Sequence, residues 1–283
     1  MLTRNFLRLA LALFFCFQLR AQDTLVAVDT LQMTRWEMLK YDGVSVWGGL
    51  KHAYSAPFHW KKGNWIAFGG VVAGTGLLWL ADEEGSEYFM RHSNDIPETV
   101  KDAGFYFGKP LYNYGITGGI YVVGILTKNP KIRKTGVLLI SSATAGGLIQ
   151  SVLKNATGRA RPGAGLGSAT FEPFSKEERY HSFPSGHTIL AFTTAYAISK
   201  QFDSYWVKSG IWALGMVTPV SRLWAGAHWL SDVGVGLALS VATVESIDKY
   251  LNRQRNYDPV MSKKKISWNM QFTSKTIGIV GTF

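Results

Sequence analysis

The sequence predicts a helical fold, on three observations. Apolar stretches recur along the 283 residues, at about 65–81, 113–127, 135–153, 188–198, 210–220 and 230–244, with polar turns between them. Small residues crowd these stretches, such as Gly69, Gly70, Gly74 and Gly76 in the first and Ala143, Ala145, Gly146 and Gly147 in the third; small side chains let helices approach closely in a bundle. The composition, 47% hydrophobic and 17% charged, excludes disorder and a long charged coiled coil. The length suits one full-sized domain plus tails. Mean hydropathy is only +0.04, so a membrane protein would need several helices enclosing a polar interior.

Residues 1–21 read as a secretory signal: Arg4 and Arg8 supply the positive start, residues 9–17 the apolar centre and Ala21 a cleavage position before Gln22. An uncleaved anchor is the alternative. The single cysteine, Cys16, falls inside this run, so a processed chain has no thiol for a disulfide framework or a cysteine-ligated metal. Residues 22–63 are punctuated by Trp36, Tyr41, Trp47, Tyr54 and Trp60, which suit a membrane interface or packing onto a helical domain. Among the six apolar stretches, the first and third approach the roughly 20 residues of a spanning helix.

The net charge is +11, and its placement favours a membrane. Lys128, Lys131, Arg133 and Lys134 follow the second stretch, Lys200 and Lys208 bracket the link after the fourth, and Lys249, Arg253, Arg255, Lys263, Lys264 and Lys265 follow the sixth. Asp82, Glu83 and Glu84 follow the first. Basic clusters beside apolar segments match anionic headgroups; there is no zinc-finger, helix-turn-helix or RNA-binding signature, so nucleic acid is not an expected partner. Six spans with basic links inside put 82–112, 154–187 and 221–229 outside. A cleaved signal puts Gln22 outside as well, whereas that count needs the residues before Trp65 inside. Either one stretch does not span, another does, or the domain is not embedded. In residues 266–283, Ile266, Trp268, Met270 and Phe272 alternate, then Ile277 and Ile279, which predicts a short β-hairpin tail.

Three clusters carry chemistry: Lys154 with Arg161-Pro162 after six residues; Pro184-Ser185-Gly186-His187; and Ser221-Arg222, then His228 after five residues and Asp232 after three more. Arginine offers a planar fork matched to phosphate oxygens and lysine a point charge. Pro184 to His187 precede an apolar helical run, so backbone N–H groups there open a helix and attract an anion; Ser185 adds a hydroxyl. His228 and Asp232, four apart, share one helix face, where a carboxylate fixes one ring nitrogen and leaves the other free to attack. A second histidine, His187, allows a division into nucleophile and acid.

These clusters resemble the type 2 phosphatidic acid phosphatase family, which also includes bacterial non-specific acid phosphatases and vanadium haloperoxidases. All eleven fixed identities of its Lys-x6-Arg-Pro, Pro-Ser-Gly-His and Ser-Arg-x5-His-x3-Asp pattern are present in order, and the resemblance covers about residues 64–245. It implies an all-α bundle of about six core helices with the motifs converging at one end. It also implies His228 as nucleophile through a phosphohistidine, Asp232 as its orienting carboxylate, and His187 as acid and then base. Lys154, Arg161, Ser185, Gly186 and Arg222 would hold the phosphoryl oxygens. No metal or other cofactor is expected, since cations and N–H groups supply the electrostatics.

The expected organisation is a signal at 1–21, the aromatic-rich segment 22–63, a catalytic domain at 64–247, and a basic linker and tail at 248–283. The expected activity is hydrolysis of a phosphomonoester, a lipid phosphate or an isoprenyl diphosphate, in the cell envelope with the site on the periplasmic side. A soluble acid phosphatase, a haloperoxidase and a non-catalytic headgroup binder are the alternatives. His52, His59 and His92 read as packed or surface residues, and His181 as surface or a neighbour of the site. Arg159 is a candidate helper for phosphate, and Phe171, Phe174 and Tyr180 are candidate substrate contacts. The alcohol portion of the substrate and the oligomeric state are not encoded legibly.

Overall fold

The computed structural model describes residues 33–254, Tyr257, and the backbone of 267–272 and 277–282. The signal reading of residues 1–21, and Arg255 and Lys263 to Lys265 of the basic cluster, lie outside the described residues. Among the described residues, nine α-helices run through the unit Thr34–Tyr257. They are α1 (Arg35–Ser55), α2 (Lys62–Leu80), α3 (Asp82–Arg91), α4 (Glu98–Gly108), α5 (Pro110–Leu126), α6 (Pro130–Thr157), α7 (Gly186–Ser199), α8 (Tyr205–Trp224) and α9 (Leu230–Leu251). Separately, strands β1 (Ser267–Phe272) and β2 (Ile277–Thr282) pair antiparallel, with Ser267 opposite Thr282.

The six apolar stretches fall on α2 and α5 to α9. These are the six apolar helices expected; α1, α3 and α4 join them without a continuous apolar run. The first turn of α3 holds Asp82, Glu83 and Glu84. In α1 the buried residues Met38, Asp42, Ser45 and Gly49 recur at helical spacing on one face, which packs on α6 and α9. Thr34 starts α1 with a capping box: its hydroxyl accepts the Glu37 N–H at 3.2 Å and the Glu37 carboxylate accepts the Thr34 N–H at 2.7 Å. Asn129 caps α6 by accepting the Ile132 N–H at 3.1 Å, ahead of Pro130.

The core joins Val137, Leu138, Leu139 and Ala145 of α6 to Ala197 of α7, Val244, Ile247 and Leu251 of α9, and Tyr257. Buried polar ties cross it. The Asn113 amide donates to the Leu190 carbonyl at 3.2 Å and to Thr194 Oγ1 at 2.9 Å, linking α5 to α7. At one end of the bundle, buried Asp42 holds buried Arg133 at 2.9 Å and accepts from Tyr121 and Tyr257. Nearby, Lys131 donates to the Gln201 carbonyl, and Lys200 pairs with Glu245 and Asp248. The start of α6 and the ends of α7 and α9 thus meet in a basic end.

Three helices among the described residues are long and apolar enough to cross a membrane: α2, α6 and α9. The sixth apolar stretch joins the first and third in this respect because α9 runs on to Leu251. None of the residues of α2 is buried. With 14 residues, α7 is shorter than a span requires.

Candidate active site

Opposite the basic end, α6 stops at Gly158, whose backbone is left-handed (φ 57°) and whose N–H donates to the Lys154 carbonyl at 3.0 Å. A Cβ at Gly158 would sit 1.7 Å from the Glu172 carbonyl oxygen, so the position has room only for glycine. The chain then runs from 158 to 185, laced to its neighbours. Glu172 N–H donates to the Gly158 carbonyl at 2.7 Å, Arg161 N–H to Arg179 at 2.8 Å, Gly163 N–H to Gly226 at 2.8 Å, and Ser182 N–H to Arg159 at 3.0 Å. The Trp229 indole donates to the Ala160 carbonyl at 2.7 Å. The first and third motifs are thereby held against each other before any ligand enters.

Ser185 caps α7. Its buried hydroxyl accepts from the Thr188 N–H at 3.4 Å and from the Thr188 hydroxyl at 2.9 Å, which leaves its own hydrogen to donate. Gly186 and His187 form the first turn of α7, where N–H groups lack helical partners. The His187 ring stacks on Phe105 of α4, with centroids 5.4 Å apart, and the Arg222 guanidinium lies 4.8 Å from the same Phe105 ring. A Cβ on Gly108 would come within 2.8 Å of His187, so α4 packs directly on that imidazole. His187 Nε2 and Arg161 Nε are buried without a hydrogen-bond partner among the described residues. Arg161 also meets exposed Glu178 at 3.4 Å. Lys154, Gly186 and His187 line a cavity of about 400 Å³ that continues along the apolar side chains Leu148, Ile189 and Leu190.

His228, 4% exposed, sits in the turn between α8 and α9. Its Nδ1 contacts the Ser182 carbonyl at 2.7 Å, and Asp232 Oδ2 lies 3.8 Å away. The resemblance implies Asp232 as the orienting partner; the Ser182 carbonyl makes the shorter contact, with the carboxylate of Asp232 behind it. As the third residue of α9, Asp232 accepts the Trp229 N–H at 2.9 Å, as an N-terminal carboxylate does, and also accepts from the Ser182 hydroxyl. Burial holds the His228 imidazole below its ordinary pKa, opposed by Asp232 and reinforced by Lys154 and Arg161. His187 is pushed down to about 3, first by burial and then by Arg222, His228, Lys154 and Arg161. All five motif groups therefore feel one field, and the arrangement suits a phosphoryl anion: three cations, two neutral imidazoles and an open helix N-terminus.

Several expectations change. Arg159 does not face this anion site; it is 2% exposed and turned onto Asp82 and Asp232, at 2.7 Å each. Tyr180 is buried, Phe171 packs on Trp79, and Phe174 is exposed on the outer surface. Asp82, Phe105, Ser182 and Ser231 join the site from positions that no motif marks; nothing in the sequence distinguishes Asp82 from Glu83 or Glu84 beside it.

Among known proteins, the family described as PAP2 superfamily matches residues 135–254. Lipid A 1-phosphatases of Rhizobium etli and Rhizobium johnstonii are each 40% identical over 108 residues, which is 36% of this chain and 44% and 42% of theirs. The chain thus matches less than half the length of these curated relatives. The crystal structure of Aquifex aeolicus LpxE is 18% identical, with a TM-score of 0.39, covering 57% of this chain and 93% of that one. Three ordered motifs and a matching family region converge: residues 135–254 of this chain are similar to the PAP2 superfamily.

Proposed function

We propose that the protein is a metal-independent phosphatase of lipid phosphates that works through a phosphohistidine on His228. One observation carries the reading. Two imidazoles, His228 buried and His187 half-buried, share one cationic site, and His228 has Nδ1 committed to the Ser182 carbonyl, so Nε2 is its reactive nitrogen. In the first step Nε2 attacks phosphorus in line, the bond from phosphorus to the alcohol oxygen breaks, and His187, which takes up a proton together with the phosphate ester as it binds, gives that proton to the departing oxygen. In the second step His187 takes a proton from water, the water oxygen attacks phosphorus, and the phosphorus–nitrogen bond breaks to release phosphate. Lys154, Arg161, Arg222, the Ser185 hydroxyl and the Gly186 N–H hold the equatorial oxygens. Asp232 offsets the positive charge that develops on His228.

A lipid substrate is supported by the apolar cavity wall beside Lys154 and His187, by the names of the Rhizobium relatives, and by α2, which leaves Trp65, Ile66, Leu77 and Leu80 exposed. That surface favours a membrane form over a soluble acid phosphatase. The basic end faces the cytoplasm and the site faces the periplasm, in the orientation that positive charge favours. Residues 64–247 make the catalytic domain, flanked by the 22–63 segment and the 248–283 tail.

The test is phosphate release in detergent, with chelator present, from lipid A, phosphatidate, phosphatidylglycerophosphate, an isoprenyl diphosphate and a chromogenic aryl phosphate. Release from a lipid that His228→Ala abolishes is expected. Silence on every substrate, or full activity in His228→Ala, overturns the reading.

A further inference from the structure

Arg159 lies in sequence between two cations of the site, yet its guanidinium faces the opposite way. Nε donates to the Ser168 carbonyl at 2.9 Å, Nη1 to Ser231 Oγ and Asp232 Oδ1 at 2.7 Å each, and Nη2 to Asp82 Oδ2 at 2.7 Å. Trp79, Trp229 and Phe171 surround it, with ring centroids 5.2, 5.5 and 5.9 Å from its central carbon. Asp82, the first residue of α3, is fully buried. It accepts the Ser231 N–H at 2.9 Å and the Ser231 hydroxyl at 2.6 Å in addition to Arg159. The carboxylates of Asp82 and Asp232 therefore share one guanidinium, and Asp82 comes from outside the family-matched residues 135–254.

Charge arithmetic gives this chain a purpose beyond packing. Arg159 alone against Asp232 would cancel the carboxylate that stands behind His228. With Asp82 on the other side of the guanidinium, the trio carries one net negative charge, which the imidazole balances when it becomes cationic on attacking phosphorus. We propose that Asp82 and Arg159 are positioning residues of the reaction: Arg159 fixes the Asp232 carboxylate, and Asp82 keeps that carboxylate from being neutralised by the arginine that holds it. This rests on the reading of His228 as nucleophile. The charged and titratable groups around His228 are Asp232 of α9, His187 of α7, Lys154 of α6, Arg222 of α8 and Arg161 of the connecting loop, with Arg159 and Asp82 behind Asp232. Only Asp82 is altered in the decisive variant.

Asp82→Asn in the full-length, detergent-purified protein is expected to lower kcat about 10- to 100-fold, as loss of a supporting partner does, with KM changed little. The acid limb of kcat against pH, where His228 must lose its proton, is expected to move to lower pH by about one unit, because a nearby negative charge no longer favours the imidazolium. Asp82→Glu keeps the charge and is expected to leave the limb in place. Vanadate binding counts intact sites, so rates are given per competent site. An unchanged kcat, or a lower kcat with the limb unmoved, shows a purely structural network and overturns the proposal. Where Asp82→Asn does not fold, Arg159→Gln decides: it leaves the carboxylates of Asp82 and Asp232 without the guanidinium between them, so the acid limb is expected to move to higher pH, and a limb left in place overturns the proposal. Loss of the parent reading is distinguishable, since His228→Ala would then retain activity whatever Asp82 does.

Discussion

Gly158→Ala should unseat the segment that carries Arg159 and Arg161. The residue sits at φ 57°, where an alanine costs about 1–2 kcal/mol. The new Cβ would lie 1.7 Å from the Glu172 carbonyl oxygen and 2.2 Å from its carbon, distances that no side-chain rotation relieves. Glu172 must move, and the hydrogen bonds Glu172 N–H to Gly158 and Ala160 N–H to Thr170, at 2.7 and 2.9 Å, go with it at about 1 kcal/mol each. The total is roughly 3–4 kcal/mol, a large part of the 5–15 kcal/mol typical of a folded domain. Thermal unfolding in detergent should show a drop on the order of 10 °C, and phosphate release should fall together with vanadate affinity. Gly158→Asn separates the two causes: asparagine tolerates the left-handed backbone but brings the same Cβ, so it should recover little. Recovery to wild-type melting in Gly158→Asn would assign the cost to φ alone; wild-type melting and rate in Gly158→Ala would refute the reasoning altogether.

His187→Ala should depend on the leaving group: about 10²- to 10⁴-fold loss in kcat on an alkyl lipid phosphate, and far less on an aryl phosphate whose oxygen departs without a proton. Equal losses on both would remove His187 as the acid. The pH profile follows from burial, which keeps both imidazoles neutral in the free protein. A neutral His228 is ready to attack below the ordinary histidine pKa, while His187 must gain its proton along with the substrate. So kcat/KM should hold below pH 6 and decline as pH rises past the second phosphate pKa of about 6; a profile that climbs from pH 6 to 8 contradicts this. At the basic end, Asp42→Ala strands buried Arg133 and should cost about 3–5 kcal/mol of stability with kcat per folded molecule unchanged; an unaltered melting temperature would show that Arg133 finds another partner.

Read alone, the sequence located the helices that are apolar throughout, because burial in a bundle or contact with lipid demands long apolar stretches whatever their neighbours. It missed α1, α3 and α4, which bury only one face or lie between acids and the site, so their helicity depends on what they pack against. The residue types of an anion site were also legible, since a fork, a point charge and a helix start at set spacings have few other uses together. Direction was not. Arg159 and Arg161 are two residues apart, and only the turn at Gly158 and its pairing with residues 170–172 send one guanidinium to Asp82 and the other toward Lys154. The Ser182 carbonyl behind His228, the Phe105 ring against His187 and Arg222, and the carboxylate of Asp82 come from chain segments brought in by helix packing. Such contacts leave no trace in spacing, because they are made between residues whose separation along the chain carries no information about their distance in space.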